Sequence, residues 1–223
     1  MNSGKWIVLL GAPGCGKGTQ SELLVTSDFS FKVICVGDIL RSNLKTVVPQ
    51  LGKPVGEIIG GGTLLPDDVI VYFVKDAMSK MDNVLNTNLI FDGFPRTIGQ
   101  GEALVKMTKS LGHEISHVIN FEIDDVILTK RVVGRSKCKS CDKIYNDYFN
   151  KPKVLGVCDI CGCREFVRRK DDNEEVLKNR LSEYYSKTKP LIEFYKNLGL
   201  LFSVNADAET ATVYKDIIEI LSK

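Results

Sequence analysis

Five apolar residues, Trp6-Ile7-Val8-Leu9-Leu10, run without a break into Gly11-Ala12-Pro13-Gly14-Cys15-Gly16-Lys17-Gly18-Thr19. No other feature constrains the chain as tightly. A short apolar run of this kind reads as a strand buried on both faces. The glycines that follow let the backbone turn sharply and aim successive N–H groups at one anion. A helix beginning near Gly16 adds the positive end of its dipole. Gly11, four residues, then Gly16-Lys17 is the spacing of a phosphate cradle, in which Lys17 reaches the β and γ phosphates and a hydroxyl stands near the metal. The general pattern puts that hydroxyl directly after the lysine; here Gly18 intervenes and the hydroxyl belongs to Thr19. A merely glycine-rich strand-to-helix turn would account for the bend but not for the lysine.

Further strand-like runs follow at 32–35, 89–91, 118–121 and 201–204, after the first at 7–10. Helical patterns separate them at 19–25, 67–78, 97–111, 124–133, 174–186, 191–197 and 210–221, with an interruption expected at Pro190. Alternation of this sort predicts an α/β fold, a three-layer α/β/α P-loop domain around a central five-stranded parallel sheet. Two stretches break the rhythm. Residues 45–65 carry Gly52, Gly56 and Gly60-Gly61-Gly62 around a short helix-like run, and residues 136–168 have no long apolar helix. The predicted division is a core of 1–34, 66–133 and 173–223, a small insertion at 35–65, and a second at 134–172.

Composition narrows the class. A net charge of +2 over 223 residues is too small for a general nucleic-acid binder. The N-terminus lacks a charged-then-apolar leader, and no run approaches the ~18–20 apolar residues of a membrane span. A soluble cytoplasmic chain is expected. There, cysteines serve as metal ligands or buried thiols rather than disulfides.

Five of the seven cysteines fall in the second insertion. Cys138-Lys139-Ser140-Cys141 and Cys158-Asp159-Ile160-Cys161 are separated by sixteen residues, a spacing that fits a zinc ribbon with four thiolates on one tetrahedral ion. An insertion of roughly 35 residues cannot bury enough apolar surface to hold itself, and modules below about 40 residues need a metal or a crosslink. Two disulfides or free thiols are the alternatives. Cys163, two residues past Cys161, competes for the fourth position; the two-residue gap favours Cys161. Four thiolates leave no open position, so such a metal is structural.

Asp92 follows the strand at 89–91, where a carboxylate at the C-terminal strand end can hold hydrated magnesium through water. Arg41, Arg96, Arg131, Arg135, Arg169 and Arg180 lie on different elements, so they are not one solvated run. Guanidinium groups grip phosphate with paired hydrogen bonds. Arg131 and Arg135 share a helical face if that helix continues far enough. Asp171 and Asp172 can orient neighbouring guanidiniums. Taken singly, any of these arginines reads as a surface residue. His113 and His117 belong to no motif.

With these motifs assembled, the whole chain resembles the adenylate kinases, in their longer form with a zinc-bearing lid. Gly11 to Gln20 is similar to the family's phosphate loop, Gly18 included. Gly37-Asp38-Ile39-Leu40-Arg41 is similar to its nucleoside-monophosphate (NMP) segment, and Asp92-Gly93-Phe94-Pro95-Arg96-Thr97 with Gln100 to its most specific signature. Arg131-Val132-Val133-Gly134-Arg135 resembles the opening of the lid, and Arg169-Lys170-Asp171-Asp172 with Arg180 its close.

The resemblance implies roles. Gly14, Cys15, Gly16, Lys17, Gly18 and Thr19 would hold the ATP phosphates, with Arg131 and Arg135 coming down with the lid. Val36, Arg41, Thr63, Leu64, Leu65, Gly93, Phe94, Pro95, Arg96, Gln100, Arg169 and Arg180 would form the AMP side. Lys17 and the six arginines would carry catalysis, Asp92 would hold Mg2+ through water, and Cys138, Cys141, Cys158 and Cys161 would hold Zn2+. The implied reaction is ATP plus AMP to two ADP, by a cytoplasmic monomer with no nucleic-acid or membrane partner. Val36 stands where the family usually has Thr or Ser, and Thr63 where many bacterial members have Lys. Both lie in the acceptor pocket, so UMP/CMP acceptance or GTP as donor stays open. A different class also stays open: a phosphate-loop switch whose zinc ribbon binds nucleic acid through Lys137, Lys139, Lys143, Lys151 and Lys153. A solvated face is the simpler account of those lysines.

Overall fold

The strands read as unbroken apolar runs because each is covered twice. The computed structural model describes residues 4–169 and 171–223, so Lys170 lies outside the described residues. In chain order the first half comprises β1 (Trp6–Gly11), α1 (Lys17–Val25), β2 (Lys32–Cys35), α2 (Val36–Ser42), β3 (Val47–Val48), β4 (Lys53–Pro54), α3 (Val55–Gly60), α4 (Asp67–Ser79), β5 (Leu89–Asp92) and α5 (Ile98–Ser110). The second half comprises β6 (Ile115–Glu122), α6 (Asp125–Val133), β7 (Arg135–Cys138), β8 (Ile144–Asn146), β9 (Phe166–Val167), α7 (Glu174–Glu183), α8 (Pro190–Asn197), β10 (Leu201–Asn205) and α9 (Thr210–Leu221).

The central sheet has the order β10-β6-β1-β5-β2 with every neighbouring pair parallel. β1 lies in the middle and is buried throughout. Successive strand side chains point to opposite faces. Trp6, Val8 and Leu10 therefore enter a cluster closed by α2, α4, α5 and α8 through Leu40, Val74, Leu104 and Leu191. Ile7 and Leu9 enter another, closed by α1 and α9 through Leu24, Val213 and Ile217. The chain steps from β1 outward to β2, returns to β5, then crosses to β6 and β10. That reversal opens a crevice at the C-terminal strand ends beside β1. His113 stacks on Trp6 at 4.0 Å, and His117 lies against Phe202; both are toward the opposite end of the sheet.

The expected helices omitted α2. It is only seven residues long, springs directly from β2, and has no hydroxyl or carboxamide cap. Val36 and Leu40, one turn apart, hold it to the core. The irregular segment at 45–65 contains the antiparallel pair β3–β4 and α3. The cysteine-rich stretch forms the antiparallel sheet β8-β7-β9. Its apolar centre is small: Cys138, Tyr145 and Cys158, with Cys163 and Phe166 against them.

Two helix boundaries correct the sequence reading. Pro190 does not interrupt. α7 passes into a wide turn, Tyr184–Thr188, in which Lys189 N donates to Tyr184 O at 2.8 Å, five residues back. Pro190 then takes the first position of α8, where its missing N–H costs nothing. Arg131 and Arg135 do not share a helical face, since α6 ends at Val133 and Arg135 opens β7. Gly134 at that corner is hemmed in: a Cβ there would lie 2.7 Å from Tyr148 and 2.9 Å from Asn146 Oδ1. Asn146 Nδ2 donates to Arg131 O at 2.9 Å, satisfying a carbonyl the ending helix leaves open. Among the described residues no helix is long and apolar enough to cross a membrane.

Candidate active site

The glycine-rich loop sits at the C-terminal end of β1, and Gly16 caps α1 in the left-handed region. Gly14 shows why the loop must be glycine. Its φ is +91°, and a Cβ there would lie 2.3 Å from Val132 Cγ2 of α6. Gly14→Ala should cost about 1–3 kcal/mol from backbone strain alone, read as a lower urea midpoint. An unchanged midpoint would mean that the loop is not pinned against α6. Lys17 Nζ donates to Gly11 O at 2.7 Å and Ala12 O at 3.0 Å, so the ammonium is folded back over the loop. Arg131 Nη1 reaches Cys15 O at 3.4 Å, and its guanidinium lies 5.9 Å from the Phe149 ring centroid.

Asp92 ends β5, in register with Leu9 of β1 and Cys35 of β2, and is 9% exposed. A Cβ on Gly18 would stand 4.0 Å from its Oδ2. The first turn of α1 and the carboxylate thus face each other, with hard oxygen chemistry suited to Mg2+ at the mouth of the loop. The Cys35 thiol is pushed up to about 11 by burial and by Asp92, so it stays neutral beside this charge.

The arginines converge from separate elements. Arg41 on α2 pairs with Asp38 at 2.6 Å. Arg96 is held at three points: Nε donates to Gly93 O at 2.9 Å, its backbone N–H to Gln100 Oε1 at 2.8 Å, and its carbonyl accepts from Thr188 Oγ1 at 2.8 Å. Arg135 forks onto Asp172, with Nε at 2.8 Å from Oδ2, and Arg180 Nη1 donates to Asp171 at 2.9 Å. Burial lowers the pKa of Arg96, and Arg41 adds to it against the opposing Asp92. Arg180 is lowered by burial and by Arg96 and Arg135; Arg169 by partial burial and by Arg135 and Arg41. Arginine stays protonated under such stress. The outcome is a set of mutually repelling cations held in place by neighbouring groups, which a polyphosphate would relieve.

Val36, Leu65 and Phe94 are buried in the larger core cluster. Pro95 is buried, Gly93 and Leu64 are half-buried, and Thr63 is exposed. Thr63 and Gly62 line a hollow of about 210 Å3 with Asn179, Ser182 and Glu183 of α7. Gln100 is 1% exposed, and its Nε2 donates to Asp67 at 2.8 Å. Sequence reasoning missed Asp67, Thr188 and Asn146. An acid in the first turn of a helix, as Asp67 is, suits the dipole whatever else it does, and the other two carry no local signal.

In the insertion, the sulfurs of Cys138, Cys141, Cys158 and Cys161 all lie within 4.8 Å of one another. Cys138 faces Cys161 at 3.5 Å, and Cys141 faces Cys158 at 3.5 Å. Four sulfurs about 2.3 Å from one ion form a tetrahedron with edges of about 3.8 Å, so the cluster fits a tetrathiolate metal. The Tyr145 hydroxyl donates to Cys158 Sγ at 3.4 Å and holds that thiol down to about 6. Backbone N–H groups, first that of Cys141, lower Cys138. Cys163 packs beside this group without joining it, and its sulfur accepts from Glu165 N at 3.4 Å. On the basic side, Lys137 pairs with Asp142 at 2.7 Å and Lys139 with Glu165 at 2.6 Å. Those positive charges are answered within the insertion itself.

The comparisons agree with this geometry. The family model described as adenylate kinase matches residues 9–200. An adenylate kinase of Caldicellulosiruptor bescii is 43% identical over 215 residues, covering 96% of this chain and 98% of the relative. One from Clostridioides difficile is 41% identical over 96% of this chain and 97% of its own length. One from Zymomonas mobilis is 42% identical over 97% of this chain and 96% of its own. A five-stranded parallel sheet with a phosphate loop at its crevice, arginines gathered around it and relatives matching from end to end place this chain in the adenylate kinase family.

Proposed function

We propose that this chain catalyses ATP + AMP = 2 ADP with AMP as the preferred acceptor, and that the residues above carry the roles their positions suit. The P–O bond between the γ phosphorus of ATP and the bridging oxygen to its β phosphate breaks as an oxygen of the AMP phosphate bonds to that phosphorus. The acceptor oxygen is already an anion near neutral pH, its second ionisation lying near ~6, so no general base is needed and the remoteness of both histidines is consistent. The loop from Gly14 to Thr19 holds the ATP phosphates, and Lys17 leaves its two carbonyl partners for the β and γ oxygens. Arg41, Arg96, Arg169 and Arg180 orient the AMP phosphate and the group in flight, and Arg131 and Arg135 close on ATP. Catalysis is alignment plus fixed positive charge. Bound at Asp92, Mg2+ would neutralise charge on the β and γ oxygens.

Residues 134–172 act as the lid and 35–65 as the NMP arm, both shutting out the water that would hydrolyse ATP. Zn2+ on the four cysteines is structural. The acceptor base meets Gln100, whose carboxamide keeps one N–H and one lone pair beyond its bonds to Asp67 and Arg96. The chain works as a cytoplasmic monomer.

The convergence of mutually repelling arginines, with Arg96 beside Asp92 at the mouth of the loop and Arg131 against the loop itself, is the observation that carries this reading. ADP formation is measured from ATP with each of AMP, GMP, CMP and UMP, from GTP with AMP, and with either partner omitted. Strong dependence on both ATP and AMP supports it. Faster turnover with another pair, or ADP release from ATP alone at the same rate, overturns it. Crystals soaked with a dinucleotide joining two adenosines through five phosphates should place the phosphates beside Lys17 and Arg96.

A further inference from the structure

Asp67 opens α4, where an acid suits the helix dipole. Its carboxylate is spent elsewhere. Oδ1 accepts from Gln100 Nε2 at 2.8 Å and Oδ2 from Thr97 Oγ1 at 2.8 Å. Thr97 Oγ1 in turn caps α5 by accepting from Gln100 N at 3.1 Å. Gln100 Oε1 accepts from the Arg96 backbone N–H at 2.8 Å. A Cβ on Gly99 would fall 2.8 Å from Asp67 Oδ2, so the bare first turn of α5 is what admits the carboxylate.

An ionised carboxylate only accepts and a backbone N–H only donates. Set between one of each, the Gln100 carboxamide has a single orientation that satisfies both. Turned over, it would press oxygen against oxygen and N–H against N–H in a site where Gln100 is 1% exposed. We propose that Asp67 is a positioning residue that fixes the polarity of the Gln100 amide and so makes the acceptor site favour a 6-aminopurine monophosphate over a 6-oxopurine one. This rests on the reading that Gln100 meets the acceptor base. A 6-aminopurine offers an N–H at the six position beside a bare ring nitrogen, which match the oxygen and N–H of the fixed amide. A 6-oxopurine presents the same two positions with donor and acceptor exchanged. A site built around hydrogen bonds rejects a mismatched partner far more strongly than an apolar pocket rejects a changed shape.

The test is the ratio of kcat/KM for AMP to that for IMP at saturating MgATP, on the purified full chain. Asp67→Leu should lower the ratio by about tenfold or more, the worth of one buried bond to a charged group, with KM for AMP raised and KM for ATP unchanged. Gly99→Ala should move the ratio the same way. It adds one methyl at an exposed helical position and pushes the carboxylate aside without removing its charge, so it decides the matter should Asp67→Leu fail to fold. Asp67→Asn retains an accepting oxygen and should stay within about threefold of the parent. An unchanged ratio in Asp67→Leu and Gly99→Ala, or proportional losses with both nucleotides, overturns the proposal. Gln100→Ala runs alongside. An unchanged ratio there removes the base contact itself and the proposal with it. A changed ratio there beside an unchanged one in Asp67→Leu removes only the role of Asp67.

Discussion

Lys17→Ala and Arg96→Ala should each lower kcat for ADP formation by ~10²–10³-fold while the protein still folds. The figure is that for deleting one preorganised donor facing developing charge, about 3–4 kcal/mol of barrier. Folding should survive because neither side chain is a core element. Among the described residues the Lys17 ammonium bonds only to loop atoms, and the Arg96 guanidinium reaches the backbone only through Gly93 O. The main-chain anchors of Arg96, from Gln100 and Thr188, persist in the alanine variant. Steady-state kinetics beside thermal melts separate the two effects. Near-normal turnover in either folded variant would remove that residue from the machinery. Equal loss of turnover and of folded population would make it structural.

On the proposal that Cys138, Cys141, Cys158 and Cys161 hold zinc, chelating it should lower the melting temperature sharply and spare initial turnover measured cold. The sheet β8-β7-β9 has three short strands and a centre of a few side chains, too little to hold itself. Structural zinc in small peptides contributes roughly 10–16 kcal/mol. With each kcal/mol worth about 2–4 °C in a chain of this size, losing even a third of that lowers Tm by roughly 10 °C. Arg131 and Arg135 flank the corner at Gly134 rather than the cysteines, and Arg135 is held by Asp172 outside the knuckles. Arg131 and Arg135 should therefore keep their places in the cold. Chelation followed by calorimetry and an immediate assay in the cold checks this. Complete loss of turnover with the cysteine-bearing insertion still folded would give the metal a catalytic part.

The sheet was legible because its strands are buried on both faces, which leaves a signal in single residues: Trp6 to Leu10 cannot be much else. The cysteine pairs were legible because ligand spacing is local. The phosphate loop was legible because its glycines and Lys17 act through consecutive backbone atoms. What failed to show depends on partners distant in the chain. α2 is held by Val36 and Leu40 against a core assembled from strands and helices scattered along the chain. The end of α6 is set by Asn146 and Tyr148, beyond the corner. Asp67 finds Gln100 and Thr97 some thirty residues on, and no window on the sequence contains that meeting.

The wide turn at Tyr184–Thr188 has a consequence for register along the rod that α7 and α8 form together. In a regular helix each residue advances the azimuth by about 100°. Here the turn takes up one extra residue, closing from Lys189 N to Tyr184 O; tightened to a regular turn with the same residues, it would swing everything beyond it by about that angle. Arg180, upstream, would keep its seat beside Asp171, while Thr188, Leu191 and Tyr195 would rotate off the Arg96 carbonyl and the core. The wide turn thus sets the phase between the Arg180 guanidinium beside Asp171 and the Thr188 hydroxyl that holds the Arg96 carbonyl.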